Sequence, residues 1–212
     1  MSMLFLCFSI FVASLLLTGV LRKYAVQLHL IDTPIERSAH REPIPRGGGL
    51  SISLLFSLAA VYCYFIGLIS AAEFSALGGA FTIGLLGLAD DVFSLRLRWR
   101  LSIQFLAATW SVYWLGGVAP INFGLFILSC PLILSILGVL ALVWLLNLYN
   151  FMDGIDGLAG TQLLFVSTMT YFLVMNNEDQ IVGILSAVLI AAGAGFLVWN
   201  WPPAKIFMGD AG

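Results

Sequence analysis

The chain has 212 residues, of which 61% are hydrophobic and only 9% carry a charge. Its mean hydropathy is +1.04, whereas soluble domains carry about 25% charged residues. This composition excludes a large soluble domain. It indicates an all-α, polytopic membrane bundle, because apolar stretches of about 20 residues recur along the sequence. The net charge of −2 is less informative than where the charges lie, and no nucleic-acid partner is expected.

One integral-membrane domain over residues 1–212 is predicted, with seven apolar spans: 3–21, 49–67, 74–89, 101–116, 131–149, 157–175 and 180–198. The first span lacks a basic leading segment and a small-residue cleavage site. It is therefore predicted to be a membrane helix rather than a signal peptide. Three cysteines without partners at metal-ligand spacing are expected to be small core residues: Cys7, Cys63 and Cys130.

Charged residues in the connections predict the orientation of the spans. Lys and Arg occur only after spans one, three and seven. The positive-inside rule therefore places the N-terminus outside and the connections after spans one, three, five and seven in the cytoplasm. This orientation brings six aspartates to the cytoplasmic side, at or near span ends: Asp32, Asp90, Asp91, Asp153, Asp156 and Asp210.

A polar stretch lies between the fifth and sixth spans, with an amide or a carboxylate at every third residue: Asn147, Asn150, Asp153 and Asp156. Polar groups at membrane depth are expensive and usually serve binding or transport. On a straight α-helix the four would spread over about half the circumference. Either a 3₁₀ turn aligns them, or the chain unwinds at Gly154 and Gly157. The simpler alternative is an interhelical loop with Asp-Gly turns.

The adjacent carboxylates of Asp90 and Asp91 follow the third span directly. Like charges so close repel unless a cation lies between them, and a hard divalent ion is the simplest remedy. Three arginines come next and could receive phosphate groups, although flanking positive charge explains them better: Arg96, Arg98 and Arg100.

The first basic connection ends in Pro45-Arg46-Gly47-Gly48-Gly49. Glycines let backbone N–H groups approach a ligand closely, and an arginine beside a helix N-terminus suits a phosphate. The segment lacks the Gly-Lys-Ser/Thr ending of a Walker A loop. Its basic residues could also act only as topology signals, and His40 by residue type is more often a surface or capping histidine.

Together with Phe207-Met208-Gly209-Asp210, these stretches resemble the polyprenyl-phosphate N-acetylhexosamine-1-phosphate transferases, glycosyltransferase family 4. The forms Arg37-Ser-Ala-His40 and Pro45–Gly49 are most similar to the branch that starts bacterial O-antigen units. The resemblance implies a multi-pass enzyme of the bacterial inner (plasma) membrane. It would transfer a sugar phosphate (GlcNAc, FucNAc or QuiNAc) from a UDP-sugar to undecaprenyl phosphate and release UMP, with Mg²⁺, or Mn²⁺, as cofactor.

The resemblance also implies a role for each motif residue. Asp90 and Asp91 would be catalytic, and Asn150 and Asp210 would bind the metal. The substrate-binding set would contain five residues: Asp153, Asp156, Asn147, Arg46 and His40. Family members continue beyond the Gly-Asp-x-Gly motif, so we expect the chain to be a fragment or to lack part of its substrate site.

A phosphate monoester with a second pKa near 6 is already a largely dianionic nucleophile at neutral pH. Direct in-line attack is therefore the favoured mechanism, with a covalent aspartyl-phosphate at Asp90 or Asp91 as the alternative. Two other functions are considered: a CDP-alcohol phosphatidyltransferase, and a cation-coupled transporter, which would hold its carboxylates nearer the bilayer midplane. The small-residue run 191–195 permits close helix packing, and a homodimer is one use for it.

Overall fold

The computed structural model describes residues 3–25, 27, 30–32, 43–175 and 180–212. Within these ranges the chain forms seven α-helices: α1 Met3–Tyr24, α2 Leu50–Phe65, α3 Ala71–Phe93, α4 Leu97–Trp114, α5 Pro131–Met152, α6 Leu158–Val174 and α7 Gln180–Asn200. Each predicted span coincides with one helix, which confirms the all-α membrane fold. Among the described residues, α1, α3, α5 and α7 are long and apolar enough to cross a membrane.

Helix α3 is longer than the predicted span at both ends. The Ser70 side chain accepts a hydrogen bond from Glu73 N, and the Glu73 carboxylate accepts one from Ser70 N, so a capping box fixes the start. The helix ends at Phe93, and the capping residue Ser94 that follows has a left-handed φ of 50°. Asp90 and Asp91 therefore lie in the last helical turn of α3 rather than in the connection.

Helix α7 is central and packs against α1, α2 and α6. A Cβ on Gly195 would lie 2.5 Å from the carbonyl oxygen of Phe11, so α1 approaches the α7 backbone directly. A Cβ on Gly193 would lie 3.0 Å from the Leu163 side chain of α6. The small-residue run 191–195 thus serves packing inside this chain, as small residues do where helices meet in a membrane.

Buried hydroxyl groups join α1 to α2 and α7. Ser14 Oγ donates to the carbonyl oxygen of Ala192 at 2.6 Å, and the hydroxyls of Thr18 and Ser51 lie 2.8 Å apart. Ser51 Oγ also donates to the carbonyl oxygen of Gly48 at 2.8 Å. Hydrogen bonds add to association between helices where lipid offers little hydrophobic driving force. They fix the start of α2 and the residues before it.

Two short antiparallel hairpins were not predicted. Strand β1 (Ile31–Asp32) pairs with β2 (Ile44–Pro45), and β3 (Ile121–Asn122) pairs with β4 (Ile127–Leu128). Strand β2 leads directly into Arg46 and the glycine run. The first hairpin therefore places that segment against the end of the helical bundle where the aspartates lie.

Candidate active site

Polar side chains from four parts of the chain meet at one end of the bundle. They come from the end of α3, the start of α4, the end of α5 with the turn after it, and the segment that follows α7. Their recess has a volume of about 210 Å³. Its polar lining is Asp90, Arg100, Gln104, Tyr149, Asn150, Asp153 and Asp210. The expected convergence of distant motifs is therefore present.

Asp90 is held by the hairpin that joins α3 to α4. Its Oδ2 accepts a hydrogen bond from Arg100 Nη1 at 2.7 Å, and its Oδ1 accepts one from Leu95 N at 2.6 Å. The same Arg100 nitrogen lies 3.2 Å from Asp210 Oδ2. Arg100 is thus the counter-charge of two carboxylates, and its interpretation as plain flanking charge was wrong.

Asp91 does not line the recess and is 1% exposed. Its Oδ1 accepts a hydrogen bond from Asp210 N at 3.2 Å, and its Oδ2 accepts one from Ala211 N at 3.3 Å. Arg46 Nη2 donates to the Asp91 carbonyl oxygen at 2.6 Å, and Arg46 Nε lies 3.5 Å from Asp91 Oδ1. Asp91 therefore anchors the segment after α7.

Asp90 and Asp91 were expected to need a cation between them because they are adjacent, but each lies against an arginine instead. Successive residues of an α-helix point about 100° apart, so the two carboxylates leave α3 in different directions. Arg100 balances Asp90, and Arg46 lies against Asp91. The counter-charges of this pair are arginines, and adjacency alone gives no support for a shared cation.

Asp210 lies between these groups, on the segment after α7. Burial, together with the neighbouring Asp90 and Asp91, raises the pKa of its carboxyl to about 7 against the opposing effect of Arg100. Asn150 Nδ2 donates a hydrogen bond to Asp210 Oδ1. The two predicted metal ligands are therefore in direct contact.

The donor set at this point fits a hard divalent ion with few protein ligands. A half-turn of the Asn150 amide would present its oxygen beside the Asp210 carboxylate, since the amide oxygen and nitrogen exchange places on such a turn. No group of three or more His, Cys, Asp or Glu residues forms a ready-made ligand cluster in the described part of the chain. Mg²⁺ accepts such sites, because it binds through one or two side chains together with water and substrate phosphate.

The turn after α5 settles how the polar stretch is arranged. Helix α5 ends at Met152, and Gly157 takes a left-handed φ of 73° before α6 begins. The unwinding alternative is therefore correct. Asp153 Oδ1 accepts a hydrogen bond from Met208 N at 2.9 Å, and Asp153 Oδ2 accepts one from Gly209 N at 2.7 Å.

Asp156 makes a comparable contact, since its Oδ2 accepts a hydrogen bond from Ala204 N at 2.9 Å. Asp153 and Asp156 thus fasten the backbone of residues 204–209, which carries Asp210 into the recess. Asp153 also lines the recess, whereas Asp156 does not. Their predicted contact with a sugar nucleotide stays a prediction.

Asn147 lies outside the recess lining and pairs with a residue that the sequence did not single out. Its Nδ2 donates to Gln104 Oε1 and to the Val143 carbonyl oxygen, both at 2.8 Å. Gln104 itself lines the recess. A glutamine within the apolar span 101–116 is the signal that could have identified it. His40, another predicted substrate ligand, falls outside the described residues.

Asn200, at the end of α7, was also missed. It is 1% exposed, its Oδ1 accepts a hydrogen bond from Gly157 N at 3.1 Å, and its Nδ2 donates to the Ile206 carbonyl oxygen at 3.0 Å. One buried amide therefore connects the turn after α5 to the segment after α7. A polar residue at the end of so apolar a span was the available signal.

The glycine run does not have the predicted role. Gly48 N donates to the carbonyl oxygen of Phe207 at 2.9 Å, and Gly49 N donates to that of Met208 at 2.8 Å. A Cβ on Gly49 would lie 2.2 Å from the Cα of Gly212. These glycines admit the backbone of the segment after α7, so the N–H groups of Gly48 and Gly49 are engaged by protein instead of a ligand phosphate.

Comparison with known proteins agrees with this site. Residues 73–212, which include all of the recess lining, match the model of glycosyl transferase family 4. The chain belongs to glycosyl transferase family 4. This match confirms the resemblance drawn from the motifs, while membership of the O-antigen-initiating branch stays a prediction.

Relatives with similar sequences come from several bacteria. Over 207 residues the chain is 33% identical to a probable undecaprenyl-phosphate N-acetylglucosaminyl 1-phosphate transferase of Bacillus subtilis, which covers 93% of this chain and 55% of the relative. It is 30% identical to an undecaprenyl-phosphate alpha-N-acetylglucosaminyl 1-phosphate transferase of Thermotoga maritima, over 95% of this chain and 58% of the relative. A decaprenyl-phosphate N-acetylglucosaminephosphotransferase of Mycobacterium tuberculosis is 33% identical, over 92% of this chain and 53% of the relative. The chain thus spans just over half the length of these relatives.

Proposed function

We propose that this chain carries the catalytic recess of an enzyme that transfers an N-acetylhexosamine 1-phosphate from a UDP-sugar to undecaprenyl phosphate, with release of UMP. The observation that carries the proposal is the meeting of Asp90, Arg100, Asn150 and Asp210 at one end of the helices. The names of the relatives, which act on polyprenyl phosphates, support the acceptor. The site would lie on the cytoplasmic side of a bacterial inner membrane, where the basic connections are predicted to be.

Asn150 and Asp210 are the residues that would hold Mg²⁺ or Mn²⁺. Such an ion neutralises charge on the diphosphate oxygens of the donor. Arg100 keeps Asp90 and Asp210 close together and supplies the positive charge on that side of the recess. Asp91, Asp153 and the glycine run hold the backbone on either side of Asp210. The segment after α7 is thereby fixed in place before substrate arrives.

The nucleophile is the phosphate of the lipid, which needs orientation and charge neutralisation more than a base. Direct in-line attack on the β-phosphorus of the UDP-sugar breaks the bond between the two phosphates and releases UMP. A covalent aspartyl-phosphate at Asp91 is disfavoured, because both oxygens of that buried carboxylate accept backbone hydrogen bonds. Of the two aspartates, only Asp90 lines the recess and could act as a nucleophile.

Family membership favours this function over a CDP-alcohol phosphatidyltransferase or a cation-coupled transporter. The position of the carboxylates, at helix ends instead of mid-helix, also weighs against the transporter. The relatives name GlcNAc, and FucNAc and QuiNAc remain alternative sugars. Initiation of O-antigen, or of another envelope polysaccharide, is the biological role that the Pro45–Gly49 form suggests.

Exchange of labelled UMP into UDP-GlcNAc tests the proposal. The purified 212-residue chain, given undecaprenyl phosphate, Mg²⁺ and UDP-GlcNAc, should incorporate the label, and omission of the lipid should abolish incorporation. A transporter should incorporate none under either condition. Label in CDP-diacylglycerol after incubation with labelled CMP and a phospholipid, with release of the head-group alcohol, and none in any UDP-sugar, would instead identify the phosphatidyltransferase and overturn the proposal.

A further inference from the structure

A second recess, lined by basic residues, lies at the same end of the bundle and is separate from the aspartate recess. It has a volume of about 530 Å³ and is lined by Gly19, Arg22, Lys23, Pro45 and Lys205. The first three come from the last two turns of α1, and Lys205 comes from the segment after α7. Three of the five lining residues are therefore cations from two distant parts of the chain.

Two of these cations, Arg22 and Lys205, lie over one indole ring. The Arg22 guanidinium carbon lies 5.2 Å from the centroid of Trp199, and Lys205 Nζ lies 5.7 Å from it. Trp199 Nε1 donates to the Leu15 carbonyl oxygen at 2.9 Å, and Lys205 N donates to the Trp199 carbonyl oxygen at 2.9 Å. The ring and the Lys205 backbone are thus held in position against α1.

The described side chains around this recess leave its positive charge uncompensated. Among the side chains that the structure describes, no carboxylate forms an ion pair with Arg22, Lys23 or Lys205, whereas Arg46 and Arg100 both have aspartate partners. Topology signals explain why basic residues lie at this end of the bundle. They do not explain why Arg22 and Lys205 converge on one ring, since like charges brought together in this way repel. An anion in the recess would remove that repulsion.

We infer that this recess binds the phosphate of an anionic bilayer phospholipid. Arg22 and Lys23 lie in the last turn of apolar helix α1, and Lys205 follows the end of apolar helix α7. Helices long enough to cross a membrane would bring these cations to the level where lipid head groups meet water. Trp199 is the kind of residue that occupies this level, and basic pockets between membrane helices bind anionic head groups. The acyl chains would lie along the exposed apolar side chains of α1, of which Leu16 is 63% and Val20 is 52% exposed.

A lipid in this recess would contact both segments that hold the catalytic aspartates. Pro45 lines the recess and directly precedes Arg46, which contacts Asp91. Lys205 follows Ala204, whose N–H is held by Asp156. Occupation of the basic recess is therefore expected to stabilise the backbone on which Asp210 is carried. This inference does not depend on which sugar or acceptor the enzyme uses.

Native mass spectrometry of the 212-residue chain in a neutral detergent tests the inference. The chain is titrated with dioleoyl phosphatidylglycerol or with dioleoyl phosphatidylcholine, and the dissociation constant of the first bound lipid is measured. The double variant R22Q/K205Q should bind phosphatidylglycerol about thirtyfold more weakly, at about fivefold for each basic residue near a membrane surface. Phosphatidylcholine binding should be weak in both proteins and unchanged between them.

Two further variants separate the recess from general charge. R22K/K205R keeps both charges and should retain binding within about threefold of wild type. R96Q/R98Q removes two exposed arginines at the start of α4, one just before its first residue and one within its first turn. Arg98 lies 6.0 Å from the centroid of Trp99, and neither arginine lines either of the two recesses. It should leave phosphatidylglycerol binding unchanged. Equal weakening by R96Q/R98Q, or no weakening by R22Q/K205Q, would overturn the inference.

The identity of the anion is decided in the same assay. If the wild-type chain keeps its bound phosphatidylglycerol in excess inorganic phosphate, the recess is a lipid site. Full displacement of phosphatidylglycerol by inorganic phosphate would refute the inference. Undecaprenyl phosphate is titrated in parallel. Loss of undecaprenyl phosphate binding in R22Q/K205Q, with phosphatidylglycerol binding intact, would assign the recess to the acceptor and overturn the phospholipid inference.

Discussion

Arg100 is the residue on which the charge balance of the catalytic recess depends. It is the cation that contacts both Asp90 and Asp210, at 2.7 and 3.2 Å. Without it, two neighbouring carboxylates would face each other beside the negatively charged diphosphate of the proposed donor. Breaking a partly buried pair leaves an uncompensated charge, which is costlier than the pair itself is stabilising.

We predict that Arg100→Gln lowers UMP exchange by about a hundredfold, the usual loss on removal of one charge-stabilising donor. Arg100→Lys should recover part of the activity, because it keeps the charge but loses the fork geometry. The matched control is Arg98→Gln, an exposed arginine two residues earlier on α4. Exchange rates of the three variants measure the effect, and equal activity of Arg100→Gln and Arg98→Gln would refute it.

At the scale of single residues, the sequence singled out polar side chains that lie next to apolar spans, where a polar group is energetically unfavourable. Asp90, Asn150 and Asp210 are polar groups at the ends of apolar runs, and such groups need a function. Asn200 carries the same signal at the end of α7 and was missed, whereas nothing in the sequence singles out Arg100 from its neighbouring arginines. Their roles come from tertiary partners more than 40 residues away, namely Asp210 for Arg100 and Gly157 for Asn200.

At the scale of elements, α3 and the segment after α7 meet at unusually short range. Gly87 makes the contact possible, since a Cβ there would lie 1.7 Å from the Asp210 carbonyl oxygen and 2.7 Å from Ala211 N. One turn of α3 thus determines both the position of Asp90 and the space for the backbone of Asp210.

The substitution Gly87→Ala should therefore displace the segment after α7, with an overpacking cost of about 1–3 kcal/mol and loss of UMP exchange. Gly84→Ala, on the same helix, is the matched control. Its Cβ would meet only the Ser53 side chain at 3.9 Å, and replacing a mid-helix glycine by alanine stabilises a helix by about 0.5–1 kcal/mol. Thermal unfolding in detergent and exchange rates are measured together, and a stable, active Gly87→Ala protein would contradict the contact.

The helices themselves were predictable, because each is a long apolar run bounded by charge, glycine or proline. The hairpin of β1 and β2 was not, since two-residue strands have no periodicity to detect. The packing of the glycine run against the segment after α7 could not be predicted from the sequence either. The partners of Gly48 and Gly49 are backbone carbonyls of Phe207 and Met208, which no side-chain pattern reports.

At the scale of the whole molecule, the bundle gathers acidic groups at one end, and three of them share a small volume. Asp90, Asp91 and Asp210 lie there with Arg46 and Arg100. Prediction of this common face succeeded because loop charges determine the side on which each helix ends. A proton and a metal ion would compete for the carboxylate of Asp210. Its protonation depends on the neighbouring acidic and basic groups, and it makes the stability of the fold depend on pH.

Metal-free protein should lose stability as pH rises. The pKa of Asp210 is about 7 in the folded chain and about 3.9 when unfolded. Its contribution is therefore fully present below about pH 4 and is lost as pH rises through about 7. Mg²⁺ displaces the proton, so it should restore stability chiefly above pH 7.

We expect the midpoint of thermal unfolding in EDTA to fall by at least about 2 °C between pH 5 and pH 8. A loss of about 1 kcal/mol in the free energy of unfolding gives a shift of this size. Asp210→Asn should remove this part of the fall and the Mg²⁺ effect, because an amide does not ionise. An unchanged pH profile in Asp210→Asn would show that another group titrates.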